Sequence, residues 1–535
     1  TVMGSIFSVE VTFSAEKIER ITVISHSETP SLSDAAIANI PTQIVEAQSL
    51  GVDAVSGATY TSNGIVDAVA DAVKQAGGDV EALKNVQIAA GEHVEEELTT
   101  DVVVVGGGAG MSAAVRLAEL GQQVILFEKA SFLGGAISVS GGNQVIMGSQ
   151  LQADNGVEDD SVESMVADFE ANGAGKNNKE ILTLFAENVG AATDWLVASC
   201  GIEFDAGLHQ LGEYSHNREL AYVGGGAGFA ERMRKAVERS GATVYLSTKV
   251  ESLLVEDGAV VGVKAVSTDG TKEYTVHAAN VVLATGGFSG NDEKLREFEP
   301  NFFDGGIPVH RFSPVTCSGD GMTLSKPLGA WCNMKKTKLN KFGPVHHPYT
   351  ASGCGMAGFG AMMVDFRGNL LEMPMGPMGD TSFLDSLPEH AVWYIVPEKT
   401  VEKNLRDSVA HPREGNKGMT YEDYRAEIDF ELRSHGPAYC GETLEELAEK
   451  LGMDPAIFKA SVQAYNDSLK EPKMPMMPFA PKDEDESDPS FHNEDVDHGE
   501  DGPAFRPHRR QSRWKAAPSM RSLVSGLRRA PLVVL

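Results

Sequence analysis

The sequence contains few cysteines, and none of them forms a recognisable ligand motif. The five cysteines are scattered over 535 residues without a CxxC or CxxCH pattern. Iron–sulfur clusters, structural zinc and covalent haem are therefore not predicted, and an odd, sparse set of thiols is not a disulfide framework. Long apolar runs are also missing, since no segment reaches the roughly 20 residues that a membrane-spanning helix needs. We predict no metal site.

Basic residues are scarce beside acidic ones. The 76 acidic and 45 basic residues give a formal net charge of −31. Nucleic acid and anionic membrane surfaces are polyanions, so direct binding to either is disfavoured. An acidic surface that keeps the protein soluble explains most of this charge. The alternative explanation is that the acidic surface docks a basic partner protein.

The length suits two or three domains with separate cores. The first part alternates short strands with an amphipathic helix, and a second part opens with buried-strand and helix patterns. Later segments are richer in Pro, Met and Gly, and the end changes from strongly acidic to basic. The predicted divisions are a small α+β domain (1–85), a charged linker (86–100), a nucleotide-binding domain (101–300), an inserted capping domain (301–435), a return to the nucleotide-binding domain (436–480), and an acidic loop with an aberrant basic tail (481–535) that we expect not to fold like the rest.

A glycine-rich turn joins two apolar segments at the start of the second domain. The run DVVVV is continuous and apolar, as expected of a parallel strand buried on both faces. The turn GGGAG, the helix-like MSAAVRLAELG and a second apolar run, QQVILFEK, follow it. This order is typical of a dinucleotide site, where glycines admit the pyrophosphate and the helix N-terminus stabilises it.

The acid that closes this unit is Glu128, 22 residues after Gly106, where a carboxylate should meet ribose hydroxyls. Gly106 and Gly108 fill the first two positions of the GxGxxG pattern, but Met111 occupies the third. The turn therefore looks one residue short, a change expected to weaken nucleotide binding. The predicted nucleotide contacts in this unit are Gly106, Gly108, Ala109, Gly110, Glu128 and Lys129.

The segment DAVSGATYTS in the first domain presents a hydroxyl at a helix N-terminus. A tight turn places Thr59 at the start of the next helix, six residues after Asp53. Free N–H groups and the helix dipole stabilise a phosphate at such a position. The segment resembles the flavinylation motif of FMN-binding domains, and the surrounding module resembles the same family. The resemblance implies that a flavin transferase attaches FMN covalently to Thr59 by a phosphoester, with Ser56, Gly57 and Ala58 beside it.

Further segments resemble the flavoprotein subunits of fumarate reductase and succinate dehydrogenase. EKASFLGGAISVSGGN is similar to their pyrophosphate and isoalloxazine turns, NVVLATGGFSGN to their second FAD-contact strand, and SGDGM to their Gly-Asp-Gly turn. ETLEELAEKLGMDP is similar to a late helix, and the segments keep the family's order over about residues 99–470. The resemblance implies non-covalent FAD, with further contacts from Gly134, Gly135, Ser140, Gly141, Gly142, Val250, Ala284, Thr285, Gly286 and Asp320.

The combined resemblance predicts both fold and function. The fold class is α/β: a Rossmann-like FAD-binding domain with an inserted α+β capping domain, preceded by a small α+β FMN-binding domain. The layout is similar to that of extracytoplasmic respiratory reductases such as urocanate reductase. It implies reduction of an activated C=C bond in a small unsaturated substrate by hydride transfer from FAD. FMN would relay electrons from a quinol- or cytochrome-linked donor, since no NAD(P)H domain is visible.

The catalytic residues of that family are only partly matched. The His-Pro step of KFGPVHHPYT places His347 at the family's substrate histidine, and His346 and Tyr349 are candidates for the catalytic acid. Cys354 and Ala357 stand where the family's glutamate and arginine belong, and EMPMGPMGDTS lacks the arginine acid. Fumarate, with two carboxylates, is therefore not the expected substrate. A nearby group of methionines has two explanations, an apolar electron acceptor as substrate or ordinary core packing. The group consists of Met356, Met362, Met363, Met373, Met375 and Met378.

The resemblance stops near residues 502–505, and the family's closing His and Asn-Arg-Leu-Gly-Gly segments are not found. The basic tail that follows looks like an out-of-frame translation, so a frameshifted or truncated chain is one hypothesis. Two other functions stay open: a ketosteroid-type FAD dehydrogenase, and a flavin-binding electron-transfer remnant without catalysis.

The sequence starts at Thr1 without a start methionine or a signal peptide. We expect a leader outside this sequence and an extracytoplasmic, membrane-associated location.

Overall fold

A computed structural model shows mixed α/β domains, as predicted. Fourteen strands are distributed over four sheets among the described residues. No helix in the described part of the chain combines the length and the apolar character needed to cross a membrane. The structure describes residues 8–26, 33–86, 88, 93–173, 177–205, 207–208, 214–298, 314–330, 362–371, 387–389, 392–410, 420–433, 439–468 and 532–534.

The first domain packs an antiparallel hairpin against two helices. Apolar residues recur every three or four positions along each helix and form one core with the hairpin. Ile40 and Ile44 of one helix, and Ile65, Val69 and Val73 of the other, are at most 2% exposed. The predicted amphipathic helix after the SGAT motif is thus confirmed. The elements are β1 (Ser8–Phe13), β2 (Ile18–Ser25), α1 (Asp34–Ala47), α2 (Thr59–Gln75) and α3 (Val80–Lys84).

The second domain is built on a six-stranded sheet in which four neighbouring strands run parallel. Its central strand is buried on both faces, because alternate valines enter two separate apolar cores. The strands are β3 (Val94–Val105), β4 (Val124–Phe127), β5 (Asn143–Val145), β6 (Glu219–Ala221), β7 (Thr243–Tyr245), β8 (Thr248–Glu256), β9 (Ala259–Ser267) and β10 (Lys272–Leu283). The sheet order is β7-β4-β3-β10-β9-β8, and β5 pairs with β6 in a separate antiparallel ribbon.

Strand β3 begins at Val94, inside the segment 86–100 that the sequence assigns to a linker. It pairs in parallel with β10 along its length, from Val94 opposite Lys272 to Val105 opposite Leu283. The first half of β3 is mostly exposed, so it lacks the burial period that identifies a strand in a sequence. Backbone pairing with β10 therefore defines this half of the strand.

Two helices, α4 and α8, cover the face of β3 that carries Val104. Met111 and Val115 of α4 interdigitate there with Phe229 and Met233 of α8. The helices of this domain are α4 (Gly110–Glu119), α5 (Gln150–Asp154), α6 (Val162–Asn172), α7 (Lys179–Trp195), α8 (Gly225–Ser240), α9 (Asp292–Phe298) and α10 (Asp320–Ser325). A short 3₁₀ helix at Gly135–Val139 follows the double-glycine turn.

A third group of elements follows residue 361. A four-stranded antiparallel sheet, in the order β11-β12-β14-β13, shares a core with two helices. Strand β14 lies in the tail that we expected not to fold like the rest, and the β-branched residues of PLVVL suit this pairing. The elements are β11 (Met362–Val364), β12 (Trp393–Val396), α11 (Glu398–Ala410), α12 (Tyr421–Arg433), β13 (Tyr439–Cys440), α13 (Leu444–Leu451), α14 (Pro455–Ser468) and β14 (Leu532–Val534).

Candidate functional site

The turn after β3 is shaped by glycines that lie against neighbouring backbone. Gly106 has a φ of +102°, and a Cβ atom there would lie 2.4 Å from the Ala284 carbonyl oxygen. The Gly107 N–H donates to Glu128 Oε2 at 2.6 Å. Helix α4 begins at Gly110, so its first N–H groups lie at this turn. The predicted pyrophosphate turn is thus a strand–glycine–helix junction with the carboxylate of the next strand beside it.

Gly110 provides the close helix–strand contact that the sequence pattern expects one position later. A Cβ atom at Gly110 would lie 2.8 Å from Val104 Cγ1 and 3.3 Å from Ala284 Cβ. Met111, which stands where the pattern has glycine, is fully buried in the core between α4 and α8. The shorter turn therefore moves the small residue back by one position and keeps the helix against the strand.

Two backbone amides hold the Glu128 carboxylate. Oε2 accepts from Gly107, and Oε1 accepts the Ala130 N–H at 2.7 Å. Burial raises the pKa of Glu128 above its ordinary value, even though both amide bonds and the Lys129 charge act to lower it. A carboxylate offers about four lone-pair sites, so Glu128 can also accept from ribose hydroxyl donors.

Glycines from two turns meet beside the N-terminus of α4. Gly134 donates its N–H to the Gly107 carbonyl at 2.7 Å, and a Cβ atom at Gly135 would lie 3.7 Å from Gly108 Cα. Ser138 is 5% exposed, and its hydroxyl has no hydrogen-bond partner among the described residues. Bare backbone and an unpaired buried hydroxyl fit a phosphate group bound at this position.

Lys129 and Asp320, both predicted contacts, form an ion pair. Lys129 Nζ donates to Asp320 Oδ2 at 2.6 Å and to Ser318 Oγ at 2.5 Å, and Ser318 Oγ donates to Asp320 Oδ1 at 2.7 Å. Burial alone would raise the pKa of Asp320, but hydrogen bonds from Lys129 and Ser318 outweigh it and lower the pKa. The Thr285 hydroxyl accepts the Gly321 N–H at 3.0 Å. The network therefore links the second predicted FAD strand to the SGDGM turn.

The other predicted FAD contacts lie after β10, at the start of α8 and in β8. Ala284 follows β10, and its N–H donates to the Val105 carbonyl at 2.8 Å. A Cβ atom at Gly142 would lie 2.3 Å from the Gly225 carbonyl carbon, so this turn packs directly on the start of α8. Val250 differs, since its side chain is buried in an apolar core. The adjoining turns contain Ser140, Gly141 and Gly286.

One buried serine holds the predicted flavin-attachment turn. Ser62, 1% exposed, accepts the Val55 N–H at 3.0 Å and donates to the Ala58 carbonyl at 2.9 Å. Gly57 takes a φ of +85° within this turn, and Thr59 begins α2 with a partly exposed side chain. Sequence reasoning identified the turn but missed Ser62. Its position three residues after the predicted acceptor Thr59, at the end of DAVSGATYTS, was the available signal.

The predicted catalytic region is not covered by the described residues, so its assignments stay predictions. Two of the six methionines considered above are described, and both are buried in apolar clusters. Packing is the role that their positions support. The buried pair is Met362 and Met363, and the residues outside the described ranges include His346, His347, Tyr349, Cys354 and Ala357.

Two domain families match the sequence. Residues 3–74 match the FMN-binding domain family, and residues 101–495 match the FAD binding domain family. The chain belongs to the FAD binding domain family. That match includes the groups that shape the nucleotide site: Glu128, the glycine turns and the Ser138 hydroxyl, which is unpaired among the described residues. These groups fit FAD as the bound nucleotide.

Several relatives align with most of this chain. The urocanate reductase of Eggerthella lenta is 29% identical over 88% of this chain and 75% of its own length. The NADH:acrylate oxidoreductase of Vibrio harveyi is 26% identical over 89% of this chain but only 52% of its own length. This chain therefore spans about half of the Vibrio protein and three quarters of the Eggerthella protein. These relatives confirm an oxidoreductase of the fumarate reductase flavoprotein type.

Solved structures agree with this fold. The open conformation of a flavocytochrome c3 fumarate reductase has a TM-score of 0.54 and 27% identity, over 70% of this chain and 62% of that chain. A 3-ketosteroid-Δ4-(5α)-dehydrogenase from Rhodococcus jostii RHA1 has the same TM-score at 23% identity, over 71% of this chain and 79% of that one. The second likeness shows a shared fold alone.

Proposed function

We propose that this flavoprotein reduces an activated C=C bond of a small enoate- or enone-like molecule. The observation that carries this proposal is an FMN-binding and an FAD binding domain in one chain that aligns over most of its length with relatives named for urocanate and acrylate reduction. Urocanate and acrylate are both α,β-unsaturated acids. Bound FAD would supply a hydride to one carbon of such an acceptor, while a protein acid protonates the other.

In the proposed FAD site, the carboxylate, the glycine backbone and the serine hydroxyl have separate roles. The Glu128 carboxylate accepts the ribose hydroxyls while it also holds the phosphate turn through the Gly107 and Ala130 amides. The N-terminus of α4 and the bare backbone at Gly108, Gly134 and Gly135 admit the pyrophosphate. Ser138 donates its otherwise unpaired hydroxyl to a phosphate oxygen. The site therefore needs no side-chain cation to bind the pyrophosphate.

In the first domain, Thr59 would carry FMN through a phosphoester formed by a flavin transferase. Two features support this role: the residue begins the 17-residue helix α2, and the turn before it is fastened by Ser62. The helix N-terminus stabilises the phosphate charge. Because Ser62 already holds the turn by two hydrogen bonds, attachment needs little further ordering of the backbone.

Electrons would enter at FMN from a quinol- or cytochrome-linked donor and pass to FAD. A net charge of −31 suits a basic cytochrome as donor. An extracytoplasmic, membrane-associated protein that serves anaerobic respiration is the setting that fits this route. The donor and the location are both part of the proposal.

The test first measures the flavin content of the protein and then the reoxidation of the reduced flavoprotein. Mass spectrometry of the peptide that contains Thr59 should show FMN attached through its phosphate. Viologen-reduced protein should then be reoxidised, without oxygen, by at least one member of a panel of enoates and enones, and fumarate should be a poor acceptor.

Other outcomes would select other functions. Oxidation of a saturated ketosteroid, with no acceptor-driven reoxidation, would identify a dehydrogenase. Covalent FMN without bound FAD would identify an electron-transfer remnant. Either result would overturn the proposed reductase.

A further inference from the structure

One segment of the FAD domain contacts both flavin sites. Residues 128–135 begin at the carboxylate that shapes the phosphate turn and end at the double glycine beside it. The middle of the segment contacts the attachment turn of the first domain, because the Ser131 N–H donates to the Ser56 carbonyl at 3.0 Å. The two flavin-binding domains therefore meet at this short stretch of backbone.

The contact is tight at Gly57. A Cβ atom there would lie 3.0 Å from Ala130 Cβ and 3.0 Å from Phe132 Cε1, and Phe132 is 6% exposed. Gly57 also has a φ of +85°, which disfavours any residue with a side chain. Glycine at this position therefore allows both the turn and its close approach to the FAD domain.

Both partners are already fastened within their own domains. Ser62 holds the turn on one side, and on the other the Ala130 carbonyl accepts the Ser247 N–H at 2.8 Å. The segment is also fastened to α8, because Arg234 donates to the Leu133 carbonyl at 3.0 Å. Because both surfaces are fastened and touch at Ser56 and Gly57, a shift of one surface displaces the other.

We propose that docking of the attachment turn and binding of FAD stabilise each other through residues 128–135. FAD orders the two ends of this segment, while Ser56 and Gly57 order its middle. Coupling between two binding events is reciprocal. Undocking the turn must therefore weaken FAD binding, and FAD must protect the docked turn. The inference rests on the FAD site of the proposed function, but requires neither FMN attachment nor turnover.

Two alanine variants test the coupling in the full chain. Gly77 is the matched control for Gly57: its φ is +81°, it belongs to the same domain, and a Cβ atom there would meet nothing within 4 Å. FAD affinity is measured by titrating deflavinated protein and following flavin fluorescence. Gly57→Ala should raise the Kd between about fivefold and about 150-fold, the usual range of coupling between sites. Gly77→Ala should leave it near the wild-type value, and equal Kd values for the two variants would overturn the proposal.

A second measurement needs no variant. Hydrogen–deuterium exchange of wild-type protein should slow in residues 55–62 when FAD is added, whereas the α2 core around Ile65, Val69 and Val73 should not change. Gly57→Ala should lose the FAD effect at 55–62 while keeping protection of that core, which shows that the first domain is still folded. Unchanged exchange at 55–62 in wild type contradicts the coupling. Failure of wild-type protein to bind FAD would overturn the proposed function and this inference together.

Discussion

Glu128 has a structural task before any nucleotide arrives. Its two carboxylate oxygens accept N–H groups from Gly107 and Ala130, so it fixes the turn that precedes α4 and the segment that follows β4. Burial raises the pKa of this carboxyl, so keeping the carboxylate ionised costs the folded protein some free energy. Ribose hydroxyls would compensate by donating to the ionised form.

Replacing this acid tests the FAD site. Glu128→Gln should weaken FAD binding at least tenfold, because a hydrogen bond to a charged acceptor contributes about 1.5–3 kcal/mol. Ribose donors favour the ionised form, so wild-type affinity should fall as the pH drops through the raised pKa, and the variant should lack this dependence. Titration with FAD across a pH series measures both effects.

Glu119→Gln is the matched control for that substitution. Glu119 ends α4 and bonds Arg116 and Trp195 rather than the phosphate turn. Its FAD affinity should stay at the wild-type value at every pH. An unchanged Kd for Glu128→Gln would remove Glu128 from the nucleotide site.

At the scale of elements, one buried arginine joins a helix to a strand ribbon. Arg218 precedes β6 and is fully buried, and it donates to both oxygens of Asp160 at 2.7 and 2.5 Å and to Asp168 of α6 at 2.5 Å. Its carbonyl accepts the Ile146 N–H at 2.8 Å, next to β5. Burial would raise the pKa of both aspartates, but Arg218 and neighbouring donors outweigh it and lower them. Helix α6 and the β5–β6 ribbon are held together by this charge cluster.

Arg218→Met should therefore destabilise the protein strongly at neutral pH. Removing one partner of a buried ion pair typically costs about 3–5 kcal/mol. Because the folded pKa values are lowered, the stabilisation is present above the ordinary aspartate range and is lost as the pH falls through the folded values. The difference between wild type and variant should thus shrink on acidification, which urea unfolding at neutral and acidic pH measures. The control Arg116→Met, whose side chain is 58% exposed, should cost less than about 1 kcal/mol.

At the scale of the whole molecule, two flavin-binding domains are present on one chain and are in contact. The contact uses the Ser56 carbonyl and the bare Gly57 backbone, whereas the Thr59 side chain takes no part in the described hydrogen bonds across it. The proposed attachment residue and the docking contact are therefore neighbouring but different groups.

Thr59→Ala separates these two properties. The variant should lose covalent FMN and keep FAD, so the flavin content should fall from two per chain to one. Absorbance of the purified protein, together with mass spectrometry of the peptide, measures this change. Thr42→Ala, on the exposed side of α1, should keep both flavins. Retention of covalent FMN by Thr59→Ala would place the attachment elsewhere.

Local chemistry accounts for what the sequence predicted well. The strand–glycine–helix unit, Glu128 and the turn before Thr59 lie within short stretches whose backbone preferences and apolar patterns act locally. The first half of β3 was missed because it pairs through its backbone while its side chains stay exposed. Ser62 and Ser138 were missed because a serine shows its role only through its partners, or their absence.

The sequence by itself determined the kind of molecule: the FMN-binding and FAD binding domains and their order along the chain. These follow from motifs in which a few adjacent residues impose one backbone path. Only the tertiary structure decided that Gly110 replaces the expected third glycine, that Arg218 joins Asp160 to Asp168, and that the Ser56–Gly57 turn docks on residues 130–132. Those facts depend on contacts between segments far apart in the chain, where shape and burial select the partner and no local pattern records it.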